Sequence, residues 1–167
     1  MIFDQKVDFY NKSSRIPPMW SVANQVIIEN KKALFDYEVI EEFEAGIVLV
    51  GSEVKSIRNG SANLKWAYIT LHSGRPVLVG SHISEYKWST GVIVDPKRER
   101  LILMSKKEIL RIGQKVKETS ATLVPVSIYS KGNIFKVRVA LAKWRKKWEK
   151  KNLLKERDLD RESRAQF

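Results

Sequence analysis

The stretch from Glu44 to Leu64 constrains the fold of this chain more than any other, because three glycines divide it into short pieces. At each glycine the backbone is expected to bend or to approach another group closely. The glycines are Gly46, Gly51 and Gly60. A short apolar run, 47–50, lies between the first two, and a polar segment, 52–59, follows the second. We predict about two helical turns for the polar segment, with Ser52 as its N-cap.

Short apolar segments separated by turn residues predict a mainly β fold. The expected strands are one starting at Phe35 and five more at 64–71, 76–83, 101–104, 122–129 and 134–141. Hairpin turns are expected at 72–75 and 130–133. About six antiparallel strands with one clear helix suggest an oligonucleotide-binding-like β-barrel. The pattern alone leaves a β-sandwich open.

The one clear helix is predicted to begin after Ser105. Ser105 and Glu108 have the spacing of a capping box, which opens a helix to about Glu118. Three apolar side chains fall on one face of that helix and are expected in the core. They are Ile109, Ile112 and Val116.

Charge is distributed unevenly along the 167 residues. Residues 1–60 carry nine acidic and seven basic side chains, a net of −2, and residues 61–167 carry ten and twenty-four, a net of +14. Such a basic half favours a polyanionic partner, either nucleic acid or an anionic membrane. The longest apolar run is far shorter than the roughly 20 residues that span a bilayer. We therefore expect no membrane partner and a cytoplasmic protein.

Composition divides the chain into three parts. Residues 1–29 are expected to be a poorly ordered leader, and 30–142 the barrel domain. Residues 143–167 form a basic tail, which we expect to be disordered when free and helical when bound. Trp144 and Trp148 would lie on one face of that helix.

Enzymatic activity is not expected. The chain has no cysteine, so thiolate metal sites and disulfides are excluded. Neither of its two histidines, His72 and His82, has triad or metal-ligand spacing. A metal-assisted nuclease using His82 with the glutamates at 41, 42 and 44 is the least favoured hypothesis. No cofactor and no metal are predicted.

Three segments together resemble the SsrA-binding protein family (small protein B), which partners transfer-messenger RNA in rescuing stalled bacterial ribosomes. The first is Glu44–Leu64, the second Asp95-Pro96 with Arg98 and Arg100, and the third Leu123–Leu141 with the tail. The resemblance covers roughly Asn30 to Arg157. It implies an oligonucleotide-binding-like barrel with flanking helices.

The resemblance also implies an RNA-binding surface. Its residues would be Asn30, Lys31, Lys32, Glu44, Gly46, Lys55, Arg100, Leu103, Ser105, Lys106 and Lys107. The lysines would contact phosphates. Glu44 would either accept hydrogen bonds from base edges or ribose hydroxyls, or hold a basic neighbour such as Lys55 or Arg58. Ser105 stands where the family has Asn or His.

The tail carries the rest of the resemblance, and in the family it enters the vacant decoding region and messenger channel. The ribosome-binding residues would be Lys143, Arg145, Lys146, Trp148, Glu149, Lys150 and Lys151. Trp144 replaces the family's glycine, and Lys151 replaces an arginine whose planar fork a lysine does not reproduce.

The resemblance therefore predicts a monomeric, non-enzymatic adaptor. Its barrel would bind the tRNA-like domain of transfer-messenger RNA, and its tail would enter the small-subunit decoding region of a stalled ribosome. The alternative is a general single-stranded RNA-binding or ribosome-associated module with a basic tail.

Overall fold

A computed structural model describes residues 24–88 and 94–165, which form nine strands and four helices. The strands are β1 (Asn24–Glu29), β2 (Tyr37–Ile47), β3 (Ala62–Asn63), β4 (Tyr68–His72), β5 (Arg75–Val79), β6 (His82–Ile83), β7 (Arg100–Leu103), β8 (Thr122–Lys131) and β9 (Ile134–Trp144). The helices are α1 (Lys31–Asp36), α2 (Gly51–Arg58), α3 (Lys106–Thr119) and α4 (Lys147–Ala165).

Six antiparallel strands close into a barrel in the order β8-β4-β5-β7-β2-β9, because β9 pairs with both β2 and β8. Strand β1 pairs with residues 127–131 of β8, on the same edge that pairs with β4 at Leu123. Strands β3 and β6 form a separate two-stranded sheet. Closure of the ring confirms the predicted barrel of about six strands with flanking helices, and it rules out the sandwich.

The barrel is filled by apolar side chains that alternate along its strands. On β2, Phe43, Ala45 and Ile47 point inward and are buried, and the residues between them are not. Ile57 of α2 and Ile112 of α3 close the core, each no more than 1% exposed. Burying a side chain of this size contributes roughly 1.5–3 kcal/mol.

Two local signals of the sequence are confirmed. In the β4–β5 turn, His72 pairs with Arg75, and the two residues between them, Ser73 and Gly74, have φ of 48° and 76°. Positive φ at both central positions is typical of the type I′ turn, a two-residue hairpin connection whose twist matches that of the flanking strands. The Ser105–Glu108 capping box opens α3, as expected.

The N-terminal prediction was partly wrong. The leader was expected to reach residue 29, but 24–29 form β1, whose Ile28 lies in the core at 7% exposure. Residues 1–23 lie outside the described residues. Strand β2 begins at Tyr37 rather than Phe35, because Asn30 caps a short helix, α1, by accepting a hydrogen bond from the Ala33 amide at 3.1 Å.

Helix α2 starts two residues earlier than predicted. Its N-cap is Val50, not Ser52, and the Val50 amide donates to the Glu53 carboxylate at 2.9 Å. The Glu53 side chain therefore does the capping that was assigned to Ser52.

The basic tail forms helix α4, which runs from Lys147 to Ala165. The disorder of this segment in the free protein stays a prediction. None of the described helices is long and apolar enough to cross a bilayer.

Candidate nucleic-acid interface

Glu44 lies at the centre of a hydrogen-bonded cluster on the outside of the barrel. It is on β2, and its partners come from β8 and from the start of β9. The Tyr129 hydroxyl donates to one carboxylate oxygen at 2.5 Å. The Lys136 ammonium donates to the other oxygen, and the Lys131 ammonium lies 3.5 Å from it.

These donors keep Glu44 ionised. The hydrogen bonds from Lys136 and Tyr129 lower the Glu44 pKa to about 2, against the opposing effect of partial burial. Burial and the neighbouring carboxylate raise the pKa of Tyr129, so its hydroxyl stays a donor. Of the two roles left open for Glu44, the structure shows the holding of basic neighbours. Those neighbours are Lys131 and Lys136, whereas Lys55 lies over the ring of Tyr86.

Gly46 brings an exposed apolar side chain next to this cluster. It faces the same side of β2 as Glu44, two residues away, and it pairs with Leu103 of β7. A methyl group at Gly46 would lie 3.2 Å from the Leu103 Cβ, closer than ordinary contact. Leu103 itself is 59% exposed. The glycine therefore leaves room for the Leu103 side chain against β2, at the position two residues after Glu44.

Ser105 has a structural role at the start of α3. Its hydroxyl accepts from the Glu108 amide at 3.3 Å, and the Glu108 carboxylate accepts from the Ser105 amide at 3.1 Å. That carboxylate occupies the N-terminal end of α3, whose free amides would otherwise favour a phosphate. The exposed lysines Lys106 and Lys107 stay candidates for phosphate contact.

Two predicted RNA contacts are wrong because the side chains are buried. Asn30 is 4% exposed, and its side-chain amide donates to the Leu64 and Pro125 carbonyls at 2.8 and 3.0 Å. It joins β8 to the chain after β3 and caps α1. It is a tertiary anchor and does not reach the surface.

Arg100 is the second, with no exposed surface at all. Its guanidinium donates to Glu53 at 2.9 Å and to the Ser81 hydroxyl at 2.9 Å, and it also reaches the Arg98 and Pro96 carbonyls. Burial lowers the Arg100 pKa, while Glu53 opposes that shift. Its donors are used inside the protein, so Arg100 holds the segment before β7 and offers no exposed group to an RNA.

The start of the tail, residues 145–150, which we call the root of the tail, is bound to the barrel around Asp36. The Arg145 amide donates to the Asp36 carbonyl at 2.9 Å, and the Arg145 guanidinium donates to the Tyr37 carbonyl at 3.0 Å. Lys150 lies 2.8 Å from the Asp36 carboxylate and 3.7 Å from the ring centre of Trp144. Two predicted tail contacts, Arg145 and Lys150, therefore bind the protein's own barrel.

The other predicted tail residues face outward or start the helix. Trp148 is 61% exposed, and Lys143, Lys146 and Lys151 are exposed too. The Glu149 carboxylate accepts from the Lys146 amide at 2.8 Å, which caps the first turn of α4.

Sequence reasoning missed the two lysines and the tyrosine around Glu44. Lys136 and Arg138 alternate with buried residues on β9, and this period of two was the available signal for an outward-facing basic row. Trp66, which is 66% exposed, was not among the predicted contact residues either.

The carboxylates of the nuclease hypothesis are engaged by basic side chains. Glu41 accepts from Arg111 at 2.6 Å and from Lys115, and Glu42 lies 3.8 Å from Arg138. Over 24–88 and 94–165, no three His, Asp or Glu side chains are grouped to hold a metal ion.

A closed antiparallel barrel with a basic outer row and a basic C-terminal helix defines a barrel protein of the oligonucleotide-binding class. Comparison with known families shows which family of this class the chain matches. The family model described as SmpB protein matches residues 27–167. The chain belongs to the SmpB protein family.

Curated relatives match along most of their length. The SsrA-binding protein of Sulfurihydrogenibium sp. (strain YO3AOP1) is 44% identical over 146 residues, 87% of this chain and 96% of the relative. The SsrA-binding protein of Persephonella marina is 43% identical, over 83% and 91%. The SsrA-binding protein of Bacillus cereus (strain AH820) is 43% identical, over 87% and 94%.

A solved structure described as "tmRNA-SmpB: a journey to the center of the bacterial ribosome" has a similar fold. The TM-score is 0.60 at 37% sequence identity, and the match covers 72% of this chain and 85% of that chain.

Proposed function

We propose that this protein is a transfer-messenger RNA-binding adaptor for trans-translation. It binds the tRNA-like domain of that RNA, delivers it to stalled ribosomes and places its own C-terminal tail in the vacant decoding site. It acts as a monomer in the cytoplasm, without a cofactor, and catalyses no reaction.

One observation carries this proposal: the SmpB match runs through the barrel and the tail together, from residue 27 to residue 167. The solved relative adds support, because its description names both transfer-messenger RNA and the bacterial ribosome. A general RNA-binding module would need only the barrel, or only a basic segment.

The outer barrel surface offers two kinds of RNA contact. Lysine ammonium groups at 31, 32, 55, 106 and 107, with Lys131 and Lys136, supply phosphate contacts that add affinity without reading sequence. Glu44 fixes two of these lysines in place, and Leu103 presents an apolar face beside them. Fixed donors around an apolar contact suit a folded RNA loop better than a mobile single strand.

The tail supplies the ribosome contacts in this proposal. The exposed lysines of α4 neutralise ribosomal RNA phosphates, and Trp148 stacks on an exposed base. The anchored root around Asp36 fixes the direction in which α4 leaves the barrel.

A competition binding assay tests the barrel part. Labelled tRNA-like domain bound to the full chain is displaced either by unlabelled domain or by unstructured RNA of equal length, at physiological salt. We expect at least a tenfold preference for the folded domain. Equal competition would favour the general single-stranded RNA module, because charge alone gives affinity without shape discrimination.

A truncation after Lys146 tests the tail part. It keeps β9 complete through Trp144 and keeps the Arg145 contacts with the barrel. We expect unchanged binding of the free tRNA-like domain and complete loss of peptide tagging on stalled ribosomes. If the truncated chain loses binding to free RNA, the division of labour between barrel and tail is wrong.

A further inference from the structure

Trp66 occupies a backbone position that a large side chain rarely adopts. It lies in the turn between Leu64 and Ala67, closed by the Ala67 amide donating to the Leu64 carbonyl at 3.0 Å. Its φ is 69°, in the left-handed region that favours glycine. Core packing does not offset the strain of this backbone conformation, because the side chain is 66% exposed. We therefore look for a role of the Trp66 ring at the protein surface.

The Trp66 ring lines a surface pocket at the root of the tail. The pocket has a volume of about 140 Å³ and is also lined by Tyr37, Tyr68 and Trp144. A closed cavity of about 150 Å³ holds one benzene ring, so this open pocket is about large enough for a single six-membered ring. Tyr68 and Trp144 are 45% and 54% exposed, which leaves ring surface open to a ligand.

Two ammonium groups lie against these rings. Lys32 is 4.4 Å from the ring centre of Trp66, and Lys150 is 3.7 Å from that of Trp144. Asp36 also lines the pocket and pairs with both, at 3.3 and 2.8 Å. Two lysines against one carboxylate leave the rim net positive, and Lys65, 6.0 Å from the Trp66 ring centre, adds a third cation.

We propose that this pocket binds one unstacked RNA base between its aromatic rings, with the flanking phosphate on Lys32 or Lys65. Aromatic faces for stacking beside cations for phosphate are the combination by which proteins bind single nucleotides of an RNA strand. The negative charge of RNA matches the positive rim. The inference rests on the proposed function, and it adds a site on the barrel to the contacts of Trp148.

The positive φ of Trp66 makes glycine a useful test substitution, because glycine adopts this backbone conformation without strain. Trp66→Gly removes the stacking ring, and we expect it to keep or raise the melting temperature. Trp66→Phe keeps a stacking face. Trp88→Gly is the matched control, since Trp88 is 80% exposed and does not line the pocket. Trp66→Gln serves as the second variant if the glycine variant is unstable.

Each full-length variant is titrated against four RNAs: the isolated tRNA-like domain, vacant small ribosomal subunits, a 12-nucleotide uridine strand and an abasic strand of equal length. We expect Trp66→Gly to weaken binding about 5- to 150-fold to the uridine strand and to whichever structured RNA supplies the base. The abasic strand and the slope of log K against log salt should be unchanged, because no charge is lost. Trp66→Phe should stay within about threefold of the parent.

The proposal is overturned if Trp66→Gly binds the uridine strand, the tRNA-like domain and the ribosomal subunit within twofold of the parent. An equal loss for the abasic strand or for Trp88→Gly would also overturn it. These outcomes are separate from a failure of the proposed function, which would appear as a parent protein with no preference for the tRNA-like domain.

Discussion

The Lys150 ammonium lies 2.8 Å from the carboxylate of Asp36 and joins the first turn of α4 to the barrel. Asp36 is only 6% exposed. Burial would raise its pKa, but hydrogen bonds from Lys150 and Lys32 outweigh that effect and lower it. The direction of the tail is therefore set by an ion pair that is largely shielded from water, where charges interact more strongly than at the surface.

Asp36→Asn should loosen the root of α4. It removes the charge that holds Lys150, and a hydrogen bond to a charged group is worth about 1.5–3 kcal/mol. We expect amide exchange at residues 150–154, the first hydrogen-bonded amides of α4, to become at least tenfold faster, with the barrel strands unchanged. Asp158→Asn is the matched control, because its pair with Arg161 is exposed. Unchanged exchange in the Asp36 variant would show that the ion pair does not hold the tail.

Acid should destabilise the protein partly through Glu44. Its folded pKa of about 2 lies below the ordinary 4.5, so its stabilising contribution is complete above pH 4.5 and is lost as the pH falls toward 2. Because the side chain is 33% exposed, screening limits the contribution to about 1–2 kcal/mol. Glu44→Gln should make the decline in unfolding free energy between pH 5 and 2 shallower, as measured by urea denaturation.

Tyr129→Phe provides the internal comparison for that experiment, since it removes one of the two strongest donors to Glu44. We expect a decline between that of the parent and that of Glu44→Gln. A parent-like decline in both variants would show that Glu44 does not link folding to pH.

Arg100→Met should be strongly destabilising without a direct effect on RNA. Removing one partner of a buried ion pair typically costs about 3–5 kcal/mol, because the other charge is left inside. Arg98 also contacts Glu53 but is 28% exposed, so Arg98→Met should cost less. Urea denaturation measures both. Under conditions where Arg100→Met is folded, its affinity for the tRNA-like domain should match the parent, and a large loss would restore Arg100 as an RNA contact.

Neighbouring residues at the start of α3 should separate stability from binding. Ser105→Ala removes a helix cap and should lower the unfolding free energy by about 0.5–2 kcal/mol with RNA affinity unchanged. Lys107→Met should leave stability nearly unchanged and reduce the slope of log K against log salt by about one. Urea denaturation measures the effect on stability, and RNA binding at several salt concentrations measures the effect on the salt slope. The reverse pattern would exchange the roles assigned to the two residues.

The strands and the turns between them were predictable because they depend on signals that lie close together in sequence. Closure of these strands into a barrel depends on the pairing of β2 with β9, which are about 100 residues apart, and it was implied only by the family resemblance. The Ser73-Gly74 hairpin and the Ser105–Glu108 capping box each need four residues or fewer. The alternation of Phe43, Ala45 and Ile47 with polar neighbours shows in one strand which face is buried.

Burial of polar side chains was not predictable, because it depends on partners far away in sequence. Asn30 is fixed by the carbonyl of Pro125, 95 residues later, and Arg100 by Glu53, 47 residues earlier. When only the residues next to them in sequence are considered, both Asn30 and Arg100 resemble exposed RNA contacts. Trp66 was not predicted because nothing in the local sequence indicates the positive φ that this tryptophan adopts.

The pairing of β2 with β9 also determines when the barrel forms during synthesis. Tyr37 and Arg145 are hydrogen-bonded across a separation of 108 residues. Contacts this distant in sequence form slowly, and here they need nearly the whole chain outside the ribosome that makes it. A message cut short before β9 would leave an open sheet with free strand edges, which are templates for aggregation.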